Sequence, residues 1–229
     1  MKKTVLFIIA ILMLPSLLLA APNQADSQQL IGQIQSKAVA TTNLQADFAR
    51  TSDYVAIGND GASQVMGTGK LYWAAPLNLR LEQVEPSSEL IVSDGASVWW
   101  VRPERNRADA YPVDNFTSSL RSVLDILGGL SGINDNFIVE PTLETDLSPD
   151  NSDITLVLRP KVARADLNRL VLWFNQDTLQ LAGFRFSNVV GDVTQYRFSN
   201  VLTNQSLPKD FFKYSPPADY RVNDQRGQK

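Results

Sequence analysis

The 229-residue chain reads as an α+β fold that is mainly β: a curved antiparallel sheet with an apolar inner wall, interrupted once by a helix. Three observations point there. Leu71, Trp73, Ala75, Leu77, Leu79 and Leu81 share one parity, while Lys70, Asn78, Arg80 and Glu82 share the other, so a ribbon here has one greasy and one wet face. Asp94-Gly95 stands between two apolar runs, Leu90-Ile91-Val92 and Val98-Trp99-Trp100-Val101, and glycine supplies the positive φ that a tight hairpin requires. Over residues 115–127 the period becomes helical: Phe116, Leu120, Val123, Leu124 and Leu127 fall on one side, polar residues opposite, and Gly128-Gly129 follows as a stop.

Taken in order, residues 1–20 are a leader. Met1-Lys2-Lys3 is positive, residues 5–14 are an unbroken apolar run too short to span a membrane comfortably, and small residues follow to Ala20. This is a secretory signal peptide by pattern, with cleavage expected after Ala20, leaving residues 21–229 as one domain in the periplasm. Residues 27–38 suit a helix with Leu30, Ile34 and Ala38 in line and Asp26 or Ser27 as cap. Residues 44–50 alternate as a half-buried strand through Leu44, Ala46 and Phe48. Gly58, Gly61, Gly67 and Gly69 place a loose hairpin over residues 57–69, and the mixed charges of residues 104–111 suit a solvated strand. Strands are expected at 137–143, 154–159, 170–174, 181–187 and 193–202, with a frayed polar tail over 224–229.

Composition removes whole classes of function. There is no His and no Cys, hence no thiolate, no disulfide, no lipid-accepting cysteine after the leader and none of the commonest transition-metal ligands or neutral-pH bases. No metal or other cofactor is expected, and no catalytic residue. The carboxylates Glu82 and Glu85, or Asp146 and Asp150, are read as solvated loop charges rather than acid–base pairs. Losing Lys2 and Lys3 from 21 basic residues leaves 19 against 24 acidic ones, a formal charge of −5, which argues against nucleic acid. What remains is a type of surface: an apolar concave wall, either filled as an ordinary core or open as a pocket.

Several segments resemble one family in shared order. They are residues 44–48; Gly69-Lys70-Leu71-Tyr72-Trp73 with Pro76; Ser93-Asp94-Gly95 followed by Val98-Trp99-Trp100 and Pro103; and Phe212-Lys213-Tyr214-Ser215-Pro216-Pro217 with Val222-Asn223-Asp224-Gln225-Arg226. Together with the leader they resemble the LolA family of periplasmic lipoprotein carriers. The resemblance implies an unclosed antiparallel sheet, an incomplete barrel, with helices as a lid over a hydrophobic cavity that takes lipoprotein acyl chains. It implies a cavity wall of Leu71, Trp73, Leu77, Leu79, Leu81, Ile91 and Trp100 and a lid helix carrying Phe116, Leu120, Val123, Leu124 and Leu127. It also implies, as partners, an inner-membrane ABC transporter that releases lipoproteins and an outer-membrane acceptor lipoprotein, with the carrier itself a monomer. The family often places an Arg just before the Pro to hold the lid shut; here that gating position is Ala75. A related carrier of another lipid or glycolipid, and a non-carrier module that senses or binds lipoproteins, stand as alternatives.

Overall fold

The computed structural model describes residues 24–55, 61–113, 126–128, 130–151 and 153–227. The leader and most of the expected lid helix, including Phe116, Leu120, Val123 and Leu124, lie outside these residues. Twelve strands form one sheet: β1 Asn43–Tyr54, β2 Ser63–Ala74, β3 Asn78–Glu85, β4 Glu89–Asp94, β5 Ser97–Arg102, β6 Arg107–Pro112, β7 Phe137–Glu140, β8 Asp153–Pro160, β9 Arg169–Asn175, β10 Leu181–Ser187, β11 Val193–Thr203 and β12 Arg221–Asp224. The order is β12-β6-β5-β4-β3-β2-β1-β11-β10-β9-β8-β7, antiparallel except where β12 runs parallel to β6. β7 and β12 are its two edges and are not joined, so the sheet curves without closing.

Alternation sets which face is buried. In β1, Leu44, Ala46 and Phe48 are buried while Asn43, Gln45 and Asp47 are half-buried and Ala49 is exposed. Leu71 lies opposite Leu81, and Trp73 opposite Leu79, so the β2–β3 hairpin keeps all four on the concave side. The hairpin over Asp94 forms as expected: Gly95 has φ +88°, and the Asp94 carboxylate accepts the backbone N–H groups of Ala96 and Ser97 at 3.0 and 2.8 Å. The helix α1, Gln24–Ala40, extends beyond both expected ends and buries Ile31 and Ile34 in the same cluster as the sheet's concave face. Ile126, Leu127 and Ile133 enter that cluster too, from the helical turn at 126–128 and the short helix Ile133–Asn136.

Four expectations about local structure need correction. The glycine-rich stretch is not a loose hairpin as far as it is described: β2 begins at Ser63 and runs through Gly67 and Gly69. At Gly69 the chains come so close that a Cβ would lie 2.0 Å from the Glu82 carbonyl oxygen, and the register with β3 shifts between Thr68 and Gly69. Glycine here marks a bulge, which bends the sheet. β6 is not solvated: Ala108, Asp109 and Ala110 are fully buried, because β12 covers this edge and two guanidiniums and an amide bind the Asp109 carboxylate. Arg102 and Arg107 form ion pairs with its carboxylate, and Asn223 of β12 donates to it at 3.1 Å. Burial alone would raise the Asp109 pKa; the bonds from Arg107 and Asn223 and the charge of Arg102 outweigh it and hold the carboxyl below its ordinary range. The expected frayed tail begins inside β12, where Asp224 is a strand residue paired with Ala110. β7 stops at Glu140, before Pro141, which has no N–H to donate.

Both ends of the chain's second half wrap the convex face. Residues 204–220 cross the outer side of β2–β5: Phe211 meets Tyr72 edge-on at 4.8 Å between centroids, and Tyr214 meets Trp99 at 5.7 Å. The loop over 141–151 covers Trp173, whose Nε1 donates to the Asp146 carbonyl at 2.9 Å. Asp146 is no solvated loop charge. It is fully buried, held by both guanidinium nitrogens of Arg169 at 2.6 Å and by Arg185 at 2.8 Å.

Candidate functional site

The concave face is where the apolar residues of all layers meet. Its first half comes from the expected stretch: Leu71 and Leu79 are completely buried, Trp73 and Leu81 nearly so, and Ile91, opposite Leu81, packs against them while half-buried itself. Leu77 sits half-buried in the β2–β3 turn. Trp100 is also half-buried; its Nε1 donates to Glu89 at 3.1 Å and the Arg102 guanidinium lies 4.4 Å from its ring centre.

The second half was not singled out from the sequence. β9, β10 and β11 contribute Leu170, Leu172, Phe174, Phe184, Phe186, Tyr196 and Phe198, with Phe184 at 5.1 Å from Tyr196 and 5.6 Å from Phe198, ring centre to ring centre. A signal for it exists in Phe184-x-Phe186 and Tyr196-x-Phe198, aromatic pairs at the period of a strand. The Tyr196 hydroxyl is fully buried, and burial pushes its pKa up to about 12, so it is neutral across the physiological range.

Across this wall lie α1 and residues 126–136. A pocket with a cavity of about 40 Å³ opens between the last turns of α1, the start of β1, the end of β2 and the β9–β10 turn. Ile34, Leu44, Trp73, Leu127, Phe174 and Leu181 line it, and Lys37, Thr41 and Gln180 stand among its polar residues. That volume is small beside the roughly 300–1,000 Å³ of an ordinary ligand pocket. This pocket, as it stands among the described residues, has no room for a long chain.

Of the expected lid residues, Leu127 is described, and it is buried together with Ile126. Ala75 is exposed, and its N–H donates to the Thr42 carbonyl at 3.0 Å. Next to it, Gly128 rests on the Pro76 carbonyl, where an added Cβ would lie 3.1 Å away. The β2–β3 turn thus comes close to the end of the 126–128 segment at the Pro76 carbonyl. Arg80 does not substitute: it lies on the convex face, bonded to Glu82 at 2.6 Å and 5.2 Å from the Phe211 ring centre. No cluster of three or more acidic residues able to hold a metal occurs among the described residues.

An unclosed sheet whose curved inner face is apolar and covered by α1 and the segment at 126–136 defines a class of half-barrels. The model of the family described as outer membrane lipoprotein carrier protein LolA matches residues 40–215, and the chain belongs to that family. It is 26% identical over 212 residues to an outer-membrane lipoprotein carrier protein from Methylococcus capsulatus, covering 93% of this chain and 95% of that one. It is 29% identical over 203 residues to the protein of the same description from Haemophilus ducreyi, covering 88% of each. Among solved structures, an uncharacterized conserved protein from Thermus thermophilus shares the fold with a TM-score of 0.51 at 15% identity, covering 86% of this chain and 99% of that one.

Proposed function

We propose that residues 21–229, exported by the leader and cleaved after Ala20, carry lipoproteins through the periplasm with their acyl chains held against the concave wall. The observation that carries this reading is the family match over residues 40–215, most of the sheet, combined with the continuous apolar face that the sheet turns toward α1 and residues 126–136. The physical need is large: exposing an acyl chain to water costs about 0.8 kcal/mol per CH₂. Several chains of ordinary length cannot cross an aqueous compartment bare.

In this reading the wall consists of Leu71, Trp73, Leu79, Leu81 and Ile91, joined by the aromatic group of β10 and β11, while Leu77 and Trp100 stand at its margin. Chains enter by displacing the cover, whose apolar side chains, Ile31, Ile34, Ile126 and Leu127, must leave the wall as the ligand replaces them. Because burial of cover and burial of ligand compete for the same surface, the exchange is near balance, which suits a carrier that must both load and unload. With Ala75 in place of an Arg, closure rests on apolar contact and on the backbone contact at Gly128. Lipoproteins arrive from an inner-membrane ABC transporter and leave to an outer-membrane acceptor lipoprotein. The chain acts as a binding protein rather than an enzyme.

Depletion in the native host tests this. Outer-membrane lipoproteins are expected to accumulate in the periplasm or inner membrane; unchanged sorting on depletion, with no acyl chain copurifying by native mass spectrometry, overturns the proposal.

A further inference from the structure

Three buried polar side-chain atoms have no hydrogen-bond partner among the described residues: Trp73 Nε1, Arg102 Nε and Thr155 Oγ1. Two of them belong to the convex side or the β5–β6 ion cluster: Thr155 pairs across strands with Trp173, and Arg102 already binds Asp109 through its other nitrogen. Trp73 differs. It lies on the concave face, 6% exposed, and lines the pocket beneath α1. An indole N–H removed from water without an acceptor is costly, and native proteins rarely keep one unless something completes it. Phenylalanine would carry no such donor, at the lesser cost of leaving part of the indole's volume empty. The contrast with Trp173 is instructive, since that indole is equally buried and donates to the Asp146 carbonyl.

Resting on the carrier reading above, we infer that Trp73 Nε1 donates a hydrogen bond to a carbonyl oxygen of the bound lipid, the ester or amide at the polar end of an acyl chain. A hydrocarbon tail offers no acceptor; the carbonyl that joins it to its head does, and it is the first polar atom met along the chain. The surroundings fit such a junction. Leu44, Phe174 and Leu181 border the apolar tail, while Thr41 and Gln180 offer a polar margin for what lies beyond the carbonyl. Trp73 then sets how deep the tail goes and which end enters last. It is a donor only, so it discriminates acyl from alkyl chains and is indifferent to chain length.

The test compares two probes of equal chain length, a 1-monoacylglycerol and the 1-alkylglycerol ether that lacks the carbonyl, titrated calorimetrically into wild type and Trp73→Phe. The wild-type protein is expected to prefer the ester by about three- to ten-fold, the range of one net hydrogen bond, and the preference is expected to vanish in Trp73→Phe. That variant removes the unpaired donor and keeps an aromatic ring in the core, so a cooperative thermal transition is expected to be retained. Independently of any variant, the carbonyl stretch of a ¹³C-labelled ester should move to lower frequency on binding wild type. Equal ester preference in both proteins, or an unshifted carbonyl band, overturns the inference while leaving the carrier reading intact. Failure of both glycerides to bind also overturns it, and host depletion then decides the carrier reading alone.

Discussion

Replacing Ile34 by Ala separates a cover from a core. Ile34 is 1% exposed, sits in the main cluster and lines the pocket from α1. Truncating a buried Ile to Ala typically costs about 2–5 kcal/mol. If α1 is a displaceable cover, that loss falls on the closed state alone, because in the open state residue 34 is already in water. At about 2.7 kcal/mol the open population rises roughly 100-fold. Native-state hydrogen exchange reads this directly: amides of α1 should exchange about 100-fold faster, while those of β9, flanked by β8 and β10 and carrying Leu170, Leu172 and Phe174, should change little under conditions where they exchange by local opening. Lipid on-rates should rise in parallel. If α1 and β9 instead lose protection equally, and the whole loss appears in global unfolding, α1 is an ordinary core element and the reasoning fails.

Other perturbations follow from single contacts. Ala75→Arg places a guanidinium beside the backbone at Gly128, and one charged hydrogen bond there should slow α1 and 126–128 exchange and lipid release about ten-fold. Leu79→Glu puts a carboxylate at a position with no exposure and is expected to unfold the protein, measured by loss of the cooperative thermal transition. Gly69→Ala drives a Cβ into the Glu82 carbonyl and should lower the urea midpoint, by about 1–3 kcal/mol, at unchanged m-value. Asp146→Asn leaves Arg169 and Arg185 without their shared carboxylate, costing about 3–5 kcal/mol at pH 7. The Arg169 hydrogen bonds hold the Asp146 pKa below 3.8. Its contribution to stability is therefore complete above the unfolded pKa and lost as pH falls through the lower folded one, so the variant should lose less stability than wild type as pH falls below about 4 in thermal melts.

The sheet was readable in the sequence wherever one face is wet, because alternation then appears directly: Leu71 to Leu81 and Leu44 to Phe48 are examples. It failed where charges are buried in pairs. Residues 104–111 look solvated since Arg107 and Asp109 stand next to one another in the chain, yet Asp109 faces two guanidiniums and Asn223, a partner 114 residues away. Asp146 misled in the same manner, its partners Arg169 and Arg185 lying on strands it does not neighbour in sequence. Glycines in strands read as breakers because the backbone approach that demands them, Gly69 onto Glu82, is a tertiary fact. Of the candidate wall, the half on β2–β4 followed from parity, whereas the aromatic half on β10 and β11 became a wall only once β11 was placed beside β1, a pairing over some 150 residues that no local pattern announces.

That pairing, and the parallel strand β12, bear on the order in which the molecule comes into being. Strands β1 to β6 form a meander of neighbours and can assemble as soon as they exist. Yet β1 then presents a raw edge until β11 is made, and β6 presents another until residues 221–224 arrive. A ribosome or an export channel delivers the amino end first. Until β11 and β12 have paired, then, the half-built sheet offers β1 and β6 as templates for wrong partners.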